Sequence, residues 1–215
     1  MFPACYSGSM RNLFIIILLL LLINACATRR ETMNTNKNEL LINITQAHPR
    51  IRVDMRYATD NNFTGQTVYS ADVCLARPVV VDKLSRIQTK LEMQGLGLKV
   101  YDCFRPKSAQ QKFWDLVQDE RYVFNPAKGS RHTRGTAVDL TLVDKFGNEL
   151  EMPSVFDDFS EKSHRSFMAC SPTAIQNRAL LERMMVDEGF EPLPTEWWHF
   201  DLVGWRSFAE LDLEF

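Results

Sequence analysis

The chain has 215 residues, 45% of them hydrophobic, with 25 basic against 27 acidic side chains and a net charge of −2. The two signs are interleaved along the chain, which leaves no case for a nucleic-acid partner or an acidic solvating tail. The length fits one domain with a sizeable core, and no internal repeat divides it.

The N-terminus reads as a targeting segment. Leu13 to Ile23 is an unbroken apolar run preceded by Arg11. It is shorter than the ~20 residues a spanning helix needs and fits the core of an export signal. Met10, followed by Arg11, makes a better start than Met1. Ile23-Asn24-Ala25-Cys26 resembles a lipobox, in which the cysteine is lipidated and becomes the mature N-terminus. The expected organisation is a signal over 1–25, a lipid anchor on Cys26, a polar tether over 26–38 and one domain over 39–215. The chain is then exported, periplasmic and held to a membrane by its lipid.

In the body, Leu40 to Thr45 and Ile51 to Tyr57 read as strands and Asp60 to Gly65 as a loop. Pro78 to Gln94 reads as a helix with Val81, Leu84, Ile87 and Leu91 in one stripe and Gly95 as its stop. Leu98 to Cys103 is a strand. Ser108, with Gln111 three residues later, suggests a capping box opening a second helix that turns Phe113, Leu116 and Val117 inward. Ser171 and Pro172 start a third, with Ala174, Leu181, Met184 and Met185 facing inward and Gly189 closing it. Helices and strands without regular alternation predict an α+β fold, helices packed on a central, largely antiparallel sheet.

Three clusters carry chemistry. In Gly129 to Leu142, His132 and Asp139 stand seven apart around Gly135, at the start of a strand whose faces alternate. An odd spacing sends them to opposite faces of a regular strand, so the chain must bend, and Gly135 can bend it. An imidazole and a carboxylate make half of a zinc site, which normally takes three protein ligands. His199, in Glu196-Trp197-Trp198-His199, is the natural third, with Glu196 in the turn after Pro194 where it reaches the reacting water. Arg105, after Tyr101-Asp102-Cys103-Phe104, offers a planar cationic fork for an oxyanion, or a salt bridge to Asp102. Cys74, Cys103 and Cys170 are an odd number and form no CxxC pair, leaving one disulfide or three thiols open.

Ser130-x-His132-x-x-Gly135-x-Ala137-x-Asp139 with Glu196-Trp197-Trp198-His199 resembles the D-alanyl-D-alanine dipeptidase family, the VanX-type zinc peptidases, relatives of D,D-carboxypeptidases and of the Hedgehog signalling domain. Tyr57-Ala58-Thr59 with Asn62 to Gly65, Asp102 with Arg105-Pro106, Phe156-Asp157, and Glu182 to Phe190 extend the likeness from about Val53 to Phe200. The resemblance implies one zinc ion held by His132, Asp139 and His199, with Glu196 as catalytic base and Arg105 stabilising the transition state. It implies Asp157 holding the substrate's ammonium and Ser130 and Tyr57 lining the pocket. The implied activity is hydrolysis of D-alanyl-D-alanine in wall turnover or recovery, on dipeptide or other peptidoglycan fragments. A D,D- or L,D-carboxypeptidase acting on muropeptides is the alternative, and a non-enzymatic zinc lipoprotein that binds wall peptides the distant one.

The sequence departs from the family pattern in places. Cys103 stands where glycine is common, which predicts a thiol sensitive to oxidants beside the site, and Arg131 stands where a small polar residue is common. The Phe113 to Ser130 connection is shorter than in resistance-associated members, which bears on how far the pocket is enclosed.

Overall fold

The computed structural model describes residues 41–215. The signal over 1–25, Cys26 and the tether over 26–38 lie outside the described residues. Strand β1 (Ile42–Asn43) pairs antiparallel with β3 (Leu75–Ala76) in a small two-stranded sheet. The central sheet takes β2 (Arg52–Val53), β4 (Leu96–Asp102), β5 (Ala137–Asp144), β7 (His199–Leu202) and β6 (Phe190–Pro192), in that spatial order. The β2–β4 pair is parallel and the other three pairs are antiparallel, so the fold is α+β on a largely antiparallel sheet, as the sequence predicts.

Helix α1 (Ile44–Ala47) is a single turn where a strand over Leu40 to Thr45 is expected. Asn43 accepts from the amide of Thr45 at 3.0 Å and from its hydroxyl at 2.8 Å, and this local cap outcompetes extension of the strand. The expected strand over Ile51 to Tyr57 likewise survives only as Arg52–Val53, giving way to a 3-10 turn over Arg56–Ala58. There the carbonyl of Tyr57 accepts from the amides of both Val68 and Tyr69, so the loop folds back onto the residue that would have continued the strand.

Helix α2 (Pro78–Glu92) buries Val81, Leu84, Ile87 and Leu91 and packs on β4. Helix α3 (Lys107–Leu116) starts one residue before Ser108, which puts Ser108 inside the first turn, where it cannot cap; its hydroxyl bonds Glu214 at 2.7 Å. Phe113 is buried as expected and Val117 half-buried, while Leu116 is 62% exposed, because the inward face of this short helix runs through Ala109, Gln110 and Phe113. Helix α4 (Pro172–Asp187) is capped by Ser171, whose side chain accepts from the amide of Ala174, and it packs on β5 and β6.

The two central antiparallel pairings position the site. Asp139 of β5 stands opposite His199 of β7 on one side and opposite Asp102 of β4 on the other. Cross-strand partners share a face, so these polar groups gather on one side of the sheet, while Val138, Leu140 and Leu142 point to the other and join the apolar core.

Candidate active site

Gly135 ends the 3-10 turn His132–Arg134 in the left-handed conformation, φ +68°, and a Cβ there would lie 2.7 Å from the Leu41 side chain. The chain reverses at this point, so His132 swings over the face of β5 that carries Asp139. The end of β4 fixes the turn from below: the Cys103 carbonyl meets His132 Nδ1 at 2.7 Å, and the Arg105 amide donates to the His132 carbonyl at 3.3 Å. Because Nδ1 is engaged there, Nε2 is the nitrogen that faces the site.

His199 Nδ1 lies 2.9 Å from Asp139 Oδ1 and 3.2 Å from His132 Nε2, and His132 Nε2 lies 3.4 Å from Asp139 Oδ2. Ligand atoms about 2.1 Å from a tetrahedral ion stand roughly 3.4 Å apart, so the three groups fit around one cation with little movement. All three are buried, and together they can hold a metal ion. Their electrostatics agree with a site built for positive charge. Burial opposes ionisation of Asp139, but His132 and His199 hold it well below the usual carboxylate range. Burial also opposes the His199 imidazolium, yet Asp201 and Asp139 outweigh it and push the group up to about 10.

Glu196 follows the turn at Pro194 and Thr195, as expected, and strand β7 opens three residues later, at His199 rather than at the tryptophans. Its Oε2 stands 3.8 Å from His199 Nδ1. Burial raises Glu196 to about 8, against the pull of His199 and with the repulsion of Asp139 and Asp157. Arg165 clamps this segment, donating to the carbonyls of Leu193 and His199 at 2.9 Å each.

Arg105 forms the salt bridge to Asp102 that the sequence left open, at 2.7 and 3.0 Å, and also donates to Gln110 Oε1 at 2.9 Å. Its Nη2 still lies only 3.9 Å from Asp139 Oδ2, so the held guanidinium faces the cluster. Asp102 is fully buried and bonded in addition by the Tyr69 hydroxyl at 2.8 Å and the Cys103 amide at 2.9 Å.

Asp157 has φ +62°, a left-handed conformation in which aspartate is one of the few tolerated side chains. The Tyr57 hydroxyl donates to its Oδ1 at 3.0 Å, while its buried Oδ2 has no partner. Tyr57, Arg105, Ser130, His132, Asp139, Asp157, Glu196 and His199, which are all eight residues singled out in the sequence, line one pocket of about 50 Å³. Glu120 to Phe124, in the connection between Phe113 and Ser130, form part of its wall.

Asp201, Gln110 and Arg165 escaped the sequence reading. Asp201 carries a usable signal, since it stands two residues after His199 in a strand and so shares its face. Gln110 and Arg165 are joined to the site only by contacts distant in sequence. Cys74, Cys103 and Cys170 are unpaired, and Cys103 is completely buried, with burial and the neighbouring Cys74 pushing its thiol well above the ordinary range. A protonated, inaccessible thiol is inert, so the expected oxidant sensitivity loses its basis.

The family model described as D-ala-D-ala dipeptidase matches residues 37–211. The chain is 36% identical to the D-alanyl-D-alanine dipeptidase of Escherichia coli (strain K12), over 81% of this chain and 91% of that protein. It is 34% identical to the enzyme of the same name from Enterococcus faecalis and 32% to that of Streptomyces coelicolor, each over 71% of this chain and 86% of the relative. A buried His-Asp-His cluster in a pocket with a glutamate and an arginine is the equipment of a metallopeptidase, and with this match across most of its length the chain belongs to the D-Ala-D-Ala dipeptidase family of peptidases.

Proposed function

We propose that this enzyme is a zinc-dependent dipeptidase that hydrolyses D-alanyl-D-alanine to two molecules of D-alanine, with His132, Asp139 and His199 holding the zinc. Bound there, zinc supplies a Lewis acid that polarises the scissile carbonyl and makes a water molecule easier to deprotonate.

The remaining steps belong to side chains of the pocket. Glu196 takes a proton from the attacking water as the new C–O bond forms, then delivers it to the amine nitrogen as the C–N bond breaks. Burial raises its pKa, which strengthens it as a proton acceptor. Arg105, held by Asp102 and Gln110, presents fixed positive charge to the developing oxyanion. Asp157 receives the free ammonium, and Ser130 and Tyr57 complete the pocket wall.

The observation that carries the dipeptide assignment is Asp157 Oδ2, a buried carboxylate oxygen with no partner, in the same pocket as the His-Asp-His cluster. A substrate with an α-ammonium one residue from its scissile bond satisfies it, and a longer or N-blocked peptide leaves it orphaned at the cost of an unpaired buried group. The test compares release of D-alanine from D-Ala-D-Ala and from N-acetyl-D-Ala-D-Ala. Cleavage of the free dipeptide with little action on the blocked one supports the proposal. Equal rates, or faster release from muropeptides, would instead make the protein a carboxypeptidase acting on peptidoglycan peptides.

The export reading rests on the sequence alone, on the apolar run Leu13 to Ile23 and on Cys26. A lipid-anchored enzyme outside the cytoplasm meets dipeptide released from the wall rather than the cytoplasmic precursor pool, which favours recovery or turnover as its role. Labelling of the protein with radioactive palmitate, lost in Cys26→Ser, is the expected result; unlabelled wild type would remove the anchor.

A further inference from the structure

The two imidazoles of the cluster are held from behind by different partners. His132 Nδ1 meets the Cys103 carbonyl at 2.7 Å, with the Asp102 carboxylate, already bonded by Arg105, 3.7 Å away, whereas His199 Nε2 meets a carboxylate directly, Asp201 Oδ1, at 3.0 Å. Asp201 reaches that place because it lies two residues along β7, on the same face as His199, where it pairs with Ala137. Its other oxygen, Oδ2, lies 3.0 Å from Arg131 Nε. The N–H is not aimed along that line, so the contact is ionic rather than a directed hydrogen bond. The guanidinium itself lies over two rings, 4.6 Å from the Phe124 centroid and 5.1 Å from that of Trp205.

We infer that Asp201 and Arg131 form a positioning arm that keeps the His199 proton on Nε2 and its Nδ1 lone pair turned toward the metal. The inference rests on the reading that His132, Asp139 and His199 hold the ion. A carboxylate behind a ligand histidine fixes its tautomer and ring angle and raises its basicity. Such a carboxylate, nearly buried here, needs a counter-charge of its own, and Arg131 supplies it. Cation–π contacts with the two rings keep that charge in place. Arg131 is also the residue before His132, so the arm ties the turn bearing one ligand to the strand bearing another. Its backbone carbonyl bonds the amide and hydroxyl of Thr136, contacts that survive replacement of the side chain.

The test uses the full chain and zinc itself, with affinity read by chelator competition in wild type, Asp201→Asn, Arg131→Met and the double variant, and with visible spectra of the cobalt-substituted proteins. Asp201→Asn is expected to weaken zinc binding roughly 10–100-fold and to shift the cobalt spectrum, as loss of an outer-sphere partner does elsewhere. Arg131→Met, which keeps length and apolar bulk but loses charge, should shift both readouts the same way by less, and Arg131→Lys should recover part of the loss. The double variant should match Asp201→Asn, because the two residues act in series. Affinity within about twofold of wild type and an unchanged cobalt spectrum in Asp201→Asn would overturn the arm, since such partners normally matter tenfold or more. If Asp201→Asn does not fold, unchanged affinity and spectrum in a folded Arg131→Met overturn it equally. A wild type that binds no zinc would overturn the metal reading and the arm with it.

Discussion

The Tyr57 hydroxyl donates to Asp157 across a separation of 100 residues, at 3.0 Å, and it satisfies one carboxylate oxygen while the other stays buried and unpaired. Under the proposed function, the free oxygen of this half-satisfied carboxylate receives the substrate's ammonium. Asp157→Asn should therefore raise KM for D-Ala-D-Ala by roughly 10–100-fold, the worth of a hydrogen bond to a charged group, with a smaller change in kcat. Steady-state kinetics on the folded variant check this, and an unchanged KM would remove Asp157 from substrate binding.

The same residue sets a pH dependence. Burial first, then the charge of Asp139, lifts the Asp157 carboxyl to about 7, while the Tyr57 hydroxyl pulls it down. A folded value above the ordinary one means that this group's contribution to stability is fully present at low pH and lost as pH rises through about 7. Affinity for an ammonium runs the opposite way, because only the ionised form attracts it. KM is expected to rise as pH falls below about 7, and in Tyr57→Phe that rise should begin at higher pH, since the stabilising donor is gone. A KM profile that Tyr57→Phe leaves in place would contradict this.

The ion pair of Arg105 with Asp102 and its proposed part at the oxyanion can be separated by substitution. Arg105→Ala strips the buried Asp102 of its counter-charge and should cost about 3–5 kcal/mol of stability in urea unfolding. Arg105→Lys keeps a charge near Asp102 but cannot span Asp102 and Gln110 together. Its stability should stay closer to wild type while kcat falls roughly 10²–10³-fold, the usual effect of losing a fixed oxyanion partner. A lysine variant of normal kcat would limit Arg105 to a structural role.

Cys103 is buried beside Cys74, and its protonated form is favoured. Mild peroxide should leave activity unchanged, with Cys170, the half-exposed thiol, as the one modified in mass spectra among the three. Loss of activity in parallel with oxidation of Cys103 would show that the core opens enough to expose it.

Much of this architecture is legible from local pattern. Pro78 with its stripe of Val81, Leu84, Ile87 and Leu91, and Ser171-Pro172 with Gly189, state their helices through period and punctuation alone. Gly135 announces the reversal that the odd spacing of His132 and Asp139 demands. What failed did so where a nonlocal or competing local bond decided. Asn43 turned a strand into a helical turn, Glu214 took the hydroxyl of Ser108, and the loop beyond Ala58 folded onto Tyr57. The His-Asp-His cluster was readable because each of its residues sits in a distinctive motif. Its supports, Gln110, Arg165 and Asp201, are ordinary residues whose importance comes from where the sheet and loops bring them.

The most direct test of the catalytic reading counts zinc and measures D-alanine release in the same samples of wild type and Glu196→Ala. One zinc per chain in both proteins, with release from D-Ala-D-Ala falling by roughly 10²–10⁴-fold in the variant, is the result predicted for a proton-transferring base that is not a ligand. A Glu196→Ala protein that keeps its zinc and releases D-alanine at the wild-type rate would contradict it.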